Sequence, residues 1–448
     1  MTNQPVPTTK SIDYARPPEQ KFHPMLVFVW GATAAFLVYF CMYAFRKPFA
    51  VAQYQDVEKI GGLTFKTLAV SSQLIGYTIS KFIGIKVISE LPARQRAVAL
   101  LVLIGVAQLA LVGFAVIPAP HNVWMMLING LPLGMVFGLV MGFLEGRRQT
   151  EAMLAVLCAS FVLADGVTKG AGAMVLQWGV SAFWMPATVG LLFSLPLVLS
   201  TILLAMVPKP SAADVEARTE RVTMDGRARF SYFNQFAVGL VLLCAGYVLL
   251  TMIRGIRGDF AAELWKSLGV NAVPSDFATT EMWVALGLLI VTGMTAFIRD
   301  NKLAFFVAIG MSVAALILGM VVLSLQQAGA LSGYWFVVLI GFALYVPYMA
   351  VHTTIFERLI AYSRQKATAG YLMYVVDAFG YLGLIILMFA KDSMKELFGD
   401  SFLTFFRMLA WAVMLGCAVM FAGAAVWFWG KFAAKRRESS EPVLAQAV

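Results

Sequence analysis

Histidine is scarce in this chain: His23, His121 and His352 are the three in 448 residues. Cysteine is hardly commoner. Cys41, Cys158, Cys244 and Cys417 stand far apart, each inside an apolar stretch. So few ligands at such spacings argue against a metal centre and against a disulfide framework, and the thiols read as packed side chains. No GxxxxGK[ST] loop, HExxH pair or paired CxxC occurs, and no nucleophile stands beside a base. The chain therefore reads as no enzyme, and no cofactor or metal is implied. Charge is thin as well, at 13% of residues against about 25% in soluble domains.

What fills the space is apolar: 60% of residues are hydrophobic and the mean hydropathy is +0.80. The excess lies in twelve runs, each near the ~20 residues that a bilayer core demands. They are Pro24–Val51, Thr67–Ser89, Ala97–Ile117, Val123–Leu144, Ala152–Gln177, Trp184–Val207, Phe236–Gly258, Glu281–Ile298, Leu303–Leu325, Tyr334–Phe356, Ala369–Ala390 and Phe402–Trp429. No secretory signal with a small-residue cleavage site precedes the first run. The net charge of +10 does not point to nucleic acid, because the basic residues sit in short loops. With the N-terminus inside, cytoplasmic segments hold 21 of the 34 lysines and arginines and the opposite side five. That bias places both termini in the cytoplasm.

Residues 1–23 read as a cytoplasmic tail, 24–207 as a six-helix bundle, and 208–235 as a polar cytoplasmic linker. Residues 236–430 read as a second six-helix bundle and 431–448 as a cytoplasmic tail. The halves echo one another. Arg46-Lys-Pro-Phe-Ala parallels Arg257-Gly-Asp-Phe-Ala, Phe143-Leu-Glu145 parallels Ile355-Phe-Glu357, and Arg148-Gln-Thr parallels Arg364-Gln-Lys, all at nearly one offset. The expectation is an all-α membrane protein of twelve transmembrane helices in two bundles. Two such units around a midplane site are a transporter architecture, and one able to work as a monomer.

A charge at the bilayer centre costs at least about 2.5–3.5 kcal/mol, so each needs a partner or a role. Arg46 and Lys47 end the first run, where snorkelling to the outer interface competes with a binding role. Lys81 stands deep in the second run, one turn after Tyr77. Arg254 and Arg257 share a face of the seventh run, with Arg257 the better candidate for snorkelling. Asp165 and Lys169, at i and i+4 in the fifth run, are placed to neutralise each other. Asp377 sits alone in the eleventh run, where it should be protonated, hydrogen-bonded or facing a cavity cation, and a proton- or substrate-linked role competes with a plain structural one. His352 in the tenth run reads as a titrating group or a packing residue. Cations from three runs, with Tyr43, Tyr77 and Tyr381 on some of the same runs and the eleventh, suit an anionic substrate: guanidinium forks match phosphate or carboxylate oxygens.

At these residues the sequence resembles the organophosphate:phosphate antiporter family of the major facilitator superfamily. The likeness rests on Tyr43-Ala-Phe-Arg46-Lys47-Pro-Phe-Ala, Tyr77-Thr-Ile-Ser-Lys81-Phe, Leu249-Leu-Thr-Met-Ile-Arg254 with Asp259-Phe260, His352, and Phe379-Gly-Tyr381-Leu-Gly. The resemblance implies an inner-membrane antiporter in which Arg46 and Arg254 clamp a phosphate ester. Lys81, Tyr43, Tyr77 and Tyr381 would line the site, and alternating access would exchange the ester for inorganic phosphate. Asp377, Asp165, Lys169, His352 and Arg257 are then candidates for coupling or gating. The chain departs from the family where Asp165 stands near the place of a fifth-helix histidine and where Asp377 replaces a small residue. Two other readings compete: a membrane-embedded ligand sensor of the same fold, and a proton-coupled transporter of a non-phosphate organic anion.

Overall fold

The computed structural model describes residues 22–363 save for 146, 148, 211–213 and 215–225, then 369–398 and 401–444. The N-terminal tail up to 21, Arg148, Arg364 and most of the linker charges lie outside these residues. The first bundle comprises α1 (Pro24–Met42), α2 (Phe65–Glu90), α3 (Arg96–Val116), α4 (Val123–Leu144), α5 (Thr150–Gln177) and α6 (Met185–Ala205). The second comprises α7 (Gly226–Asp259), a short α8 (Ala261–Ser267), α9 (Pro274–Ala296), α10 (Asn301–Gln327) and α11 (Gly333–Ala350). It continues with α12 (Phe356–Ser363), α13 (Ala369–Phe398) and α14 (Phe402–Leu444). Among the described residues ten helices are long and apolar enough to cross a membrane. With α2 and α13, which carry Lys81 and Asp377, the twelve spans are complete. This is a multi-pass membrane protein.

Local chemistry sets the helix ends. Thr64 Oγ1 accepts from the Thr67 amide to cap α2, and Asp300 Oδ1 accepts from the Leu303 amide at 2.6 Å to cap α10. Pro24 and Pro274 stand at first-turn positions, where no amide is needed. Several boundaries differ from the hydropathy reading: α9 begins at Pro274 rather than Glu281, and α13 ends at Phe398 rather than Ala390. Helix α7 begins at Gly226, ten residues before Phe236, and bends at Phe236 (φ −116°, ψ 17°). Helix α14 runs on to Leu444. Hydropathy reports where lipid begins, and a polar helix that continues into water escapes it.

Glycine lets backbones meet where the site requires it. A Cβ on Gly130 would stand 2.1 Å from the Gln73 carbonyl, so α2 and α4 lie in direct contact. Between the bundles, a Cβ on Gly166 would stand 2.1 Å from the Phe277 carbonyl, and one on Gly170 2.5 Å from that of Pro274. The seam between α5 and α9 is thus backbone against backbone at the outer half of the molecule. Three polar links close that same end: Lys47 to Asp259 at 2.5 Å, Lys66 to Glu263 at 2.7 Å, and Lys169 Nζ to the Gly258 carbonyl at 2.5 Å.

Two helices depart from α geometry at the centre. After α1 the chain tightens into a 3₁₀ turn, Tyr43–Phe45, and a second, Pro48–Val51. After α11 it widens into a π-turn, Val351–Ile355, four residues past Pro347. Proline withholds an amide from the ladder, and π-turns gather at functional positions.

Candidate functional site

The break after α1 leaves carbonyls without helical partners, and buried amides from two neighbouring helices take them up. Gln73 Nε2 donates to the Arg46 carbonyl at 3.0 Å and to Asn129 Oδ1 at 2.7 Å. Asn129 Nδ2 donates to the carbonyls of Phe45 and Ala107, both at 3.0 Å. This network fixes the backbone from which the Arg46 side chain projects. Asn129→Leu removes the donor from two buried carbonyls, each worth about 1–3 kcal/mol. A lower melting temperature of the purified protein, with weakened ligand binding, is the expected result; unchanged stability would show that the network is idle.

Arg46 enters a central cavity of about 60 Å³, room for a few waters, between the two bundles. Its guanidinium carbon lies 3.9 Å from the centre of the Tyr77 ring and 5.9 Å from that of Tyr43. Arg254 reaches the cavity from α7, 4.2 Å from the Tyr348 ring and 5.7 Å from Tyr345. Aromatic faces attract a desolvated cation by about 2 kcal/mol, but they carry no net charge. Among the described residues neither arginine meets a carboxylate, and the Nε of each is buried without a hydrogen-bond partner.

The other cations at this depth are matched. Lys47 meets Asp259 and, at 3.8 Å, Asp165. Lys169 meets Asp165 at 2.5 Å, the i, i+4 neutralisation the spacing suggested. Arg257 is buried and meets Glu281 at 2.8 Å. Lys47 and Arg257 therefore do not snorkel: acids on α7 and α9 hold them inside. Nor is Asp377 alone. One of its oxygens accepts from Lys81, and the other accepts from the Tyr247 hydroxyl with His352 Nε2 at 3.7 Å. Lys81 and Asp377 thus join the bundles at the level of the cavity, beside the Tyr77 and Tyr381 rings, whose centres are 5.1 Å apart.

Nine of the expected residues line this one cavity: Arg46, Arg254, Lys81, Tyr43, Tyr77 and Tyr381, with Asp377, Asp165 and His352. Lys169 and Arg257 stand behind Asp165 on a second, smaller pocket. The sequence reading missed Tyr345, Tyr348, Tyr247, Gln73, Asn129 and Glu281. Their one visible signal was polarity inside apolar runs. All four cysteines are free, as their spacing suggested.

Residues 48–431 match the profile of a family of unknown function, DUF5690. The chain belongs to that family. No curated protein matches its sequence. Among solved structures this DUF5690 protein is similar to a D-xylose–proton symporter, with a TM-score of 0.57 at 16% identity over 90% of this chain and 97% of that one. It is also similar to a bacterial homologue of the human lysosomal transporter Spinster in an inward-facing, unoccupied conformation. There the TM-score is 0.56 at 11% identity over 92% of this chain and 99% of that one. Likeness at these identities establishes the fold alone: this DUF5690 protein shares the helical architecture of these two structures, here twelve spans in two bundles.

Proposed function

We propose that this DUF5690 protein is a secondary active transporter of a small organic anion, most favourably a phosphate ester exchanged for inorganic phosphate across the inner membrane. The observation that carries the reading is the pair of buried arginines, one from each bundle. Among the described residues no acid matches them, whereas Lys47 and Lys81 on the same cavity, and Lys169 and Arg257 on the pocket behind it, have acidic partners. Guanidinium does not deprotonate in proteins, so neutrality must come from what the cavity binds. Two fork-shaped donors suit an oxyanion with several oxygens. A clamp with one jaw per bundle also ties occupancy to the relative position of the bundles, as alternating access requires. The resemblance to organophosphate antiporters names the exchange partner.

The test is uptake of radiolabelled phosphate into proteoliposomes preloaded with phosphate or with sugar and glycerol phosphates. Counterflow that depends on the internal ester and vanishes in Arg46→Lys supports the reading. If phosphate moves with no partner tried, the phosphate chemistry is wrong although the fold stands.

Asp377 sets the charge available to substrate. Asp377→Asn releases Lys81 into the cavity as a third unmatched cation and cuts a link between the bundles. A lower KM for phosphate together with a lower maximal rate is expected, because the anion is held harder and let go more slowly. Kinetic constants equal to wild type would show that the Lys81–Asp377 pair takes no part.

A further inference from the structure

The second pocket, about 10 Å³ in volume, lies between α5, α7, α8, α9 and α11. Glu281 enters it from α9 and is 6% exposed. Its Oε1 is 2.8 Å from Arg257, while its Oε2 is buried without a hydrogen-bond partner. Arg257 does not close a two-point fork on the acid. One of its terminal nitrogens donates to the Val337 carbonyl at 3.1 Å, and its Nε has no partner. A bare carboxylate oxygen is a costly thing to keep dry, and it is the natural place for a proton.

The charged and titratable groups around Glu281 are few. Arg257 faces it from α7, Asp165 and Lys169 from α5, and Tyr345 from α11. Lys47 lies beyond Asp165, paired to Asp259. With Glu281 ionised, the three acids Glu281, Asp165 and Asp259 match the three cations Arg257, Lys169 and Lys47. Protonation leaves the cluster one positive charge in excess, and Asp165, Lys47 and Asp259 belong at once to this cluster and to the wall of the central cavity. A proton on Glu281 and an anion in the cavity therefore favour each other, and the linkage is reciprocal. The position also alternates. A Cβ on Gly166 would lie 2.7 Å from the Glu281 stem, so the carboxyl is covered by the opposite bundle and meets water once the outer seam parts.

We propose that Glu281 is a proton-binding site that links inward movement of the anion to the proton gradient. The coupling to transport rests on the transporter reading; the protonation itself does not. The first experiment therefore uses no substrate. Infrared difference spectra of the full-length protein in lipid, between about pH 5 and about pH 9, are expected to show a carboxylic-acid carbonyl band. The band should vanish in Glu281→Gln, shift in Glu281→Asp, and persist in Glu58→Gln, a change at an exposed acid away from both pockets. Absence of the band in wild type, or its persistence in Glu281→Gln, overturns the assignment. In proteoliposomes, external acid is expected to raise phosphate counterflow several-fold in wild type and leave Glu281→Gln unchanged. Acid stimulation that survives in Glu281→Gln rejects the coupling. If phosphate does not move at all, the phosphate reading fails, and the infrared band still decides the proton site.

Discussion

Arg46→Lys is expected to abolish most transport while leaving the protein folded in the membrane. Lysine keeps the charge and can rest on the same Tyr77 face, so the change removes chiefly the planar second donor. A hydrogen bond to a charged group is worth about 1.5–3 kcal/mol, and each 1.36 kcal/mol is about tenfold. The loss in kcat/KM should therefore reach about 10- to 100-fold. Arg254→Lys should behave alike, because the two arginines hold equivalent places on Tyr77 and Tyr348. The double variant should cost less than the product of the two, since a clamp with one jaw already grips poorly. Counterflow of labelled phosphate checks all three, and near-normal uptake by both single variants would sink the clamp.

The second large effect concerns the outer end. Lys66 is 2% exposed and its one ionic partner among the described residues is Glu263, both of whose oxygens stand 2.7 Å from Nζ. The pair joins α2 to α8, one bundle to the other. Removing one member of a fully buried ion pair costs about 3–5 kcal/mol; here Lys66 is buried and Glu263 partly exposed, so the cost is smaller, and Glu263→Gln places it on the closed state alone. The ratio of closed to open molecules should fall by about tenfold or more. The substitution Leu264→Cys, at a position buried in the closed form, reads the change through an impermeant maleimide in a background free of native cysteines. This reporter should be protected while Glu263 is present and labelled once Glu263→Gln is added. The swap of Lys66→Glu with Glu263→Lys should restore protection. Labelling that stays at the wild-type rate in Glu263→Gln would mean the outer end is held by other contacts.

How much of this was legible in the sequence depends on range. The twelve spans were legible, because lipid acts on each helix by itself. Charges buried in the spans were legible as anomalies, but their partners were not. Lys81 and Asp377 are 296 residues apart, and Lys47 and Asp259 are 212 apart; nothing local ties them. That is why Asp377 read as a lone acid and Arg257 as a snorkelling cation. The internal echo misled in one respect. It pairs Arg46 with Arg257, whereas the residue that stands opposite Arg46 in the cavity is Arg254, one turn earlier. The 3₁₀ break after α1 advances Arg46 relative to a straight helix, and a repeat read by offset does not register such a change. Gln73 and Asn129 went unremarked because an amide inside an apolar run carries no charge to flag it, although these two hold the break in place.

The tyrosine faces have a consequence for electrical behaviour. A ring stabilises a guanidinium without cancelling it, so the unloaded cavity carries two elementary charges that no acid among the described residues offsets. One elementary charge moved through the whole membrane field is worth about 2.3 kcal/mol per 100 mV. A potential negative inside therefore holds the unloaded carrier with its cavity toward the cytoplasm, whereas a doubly charged anion between Arg46 and Arg254 cancels both charges and leaves the proton on Glu281 as the one charge that the voltage acts on. A larger charge movement without substrate than with it would be the signature of that arrangement.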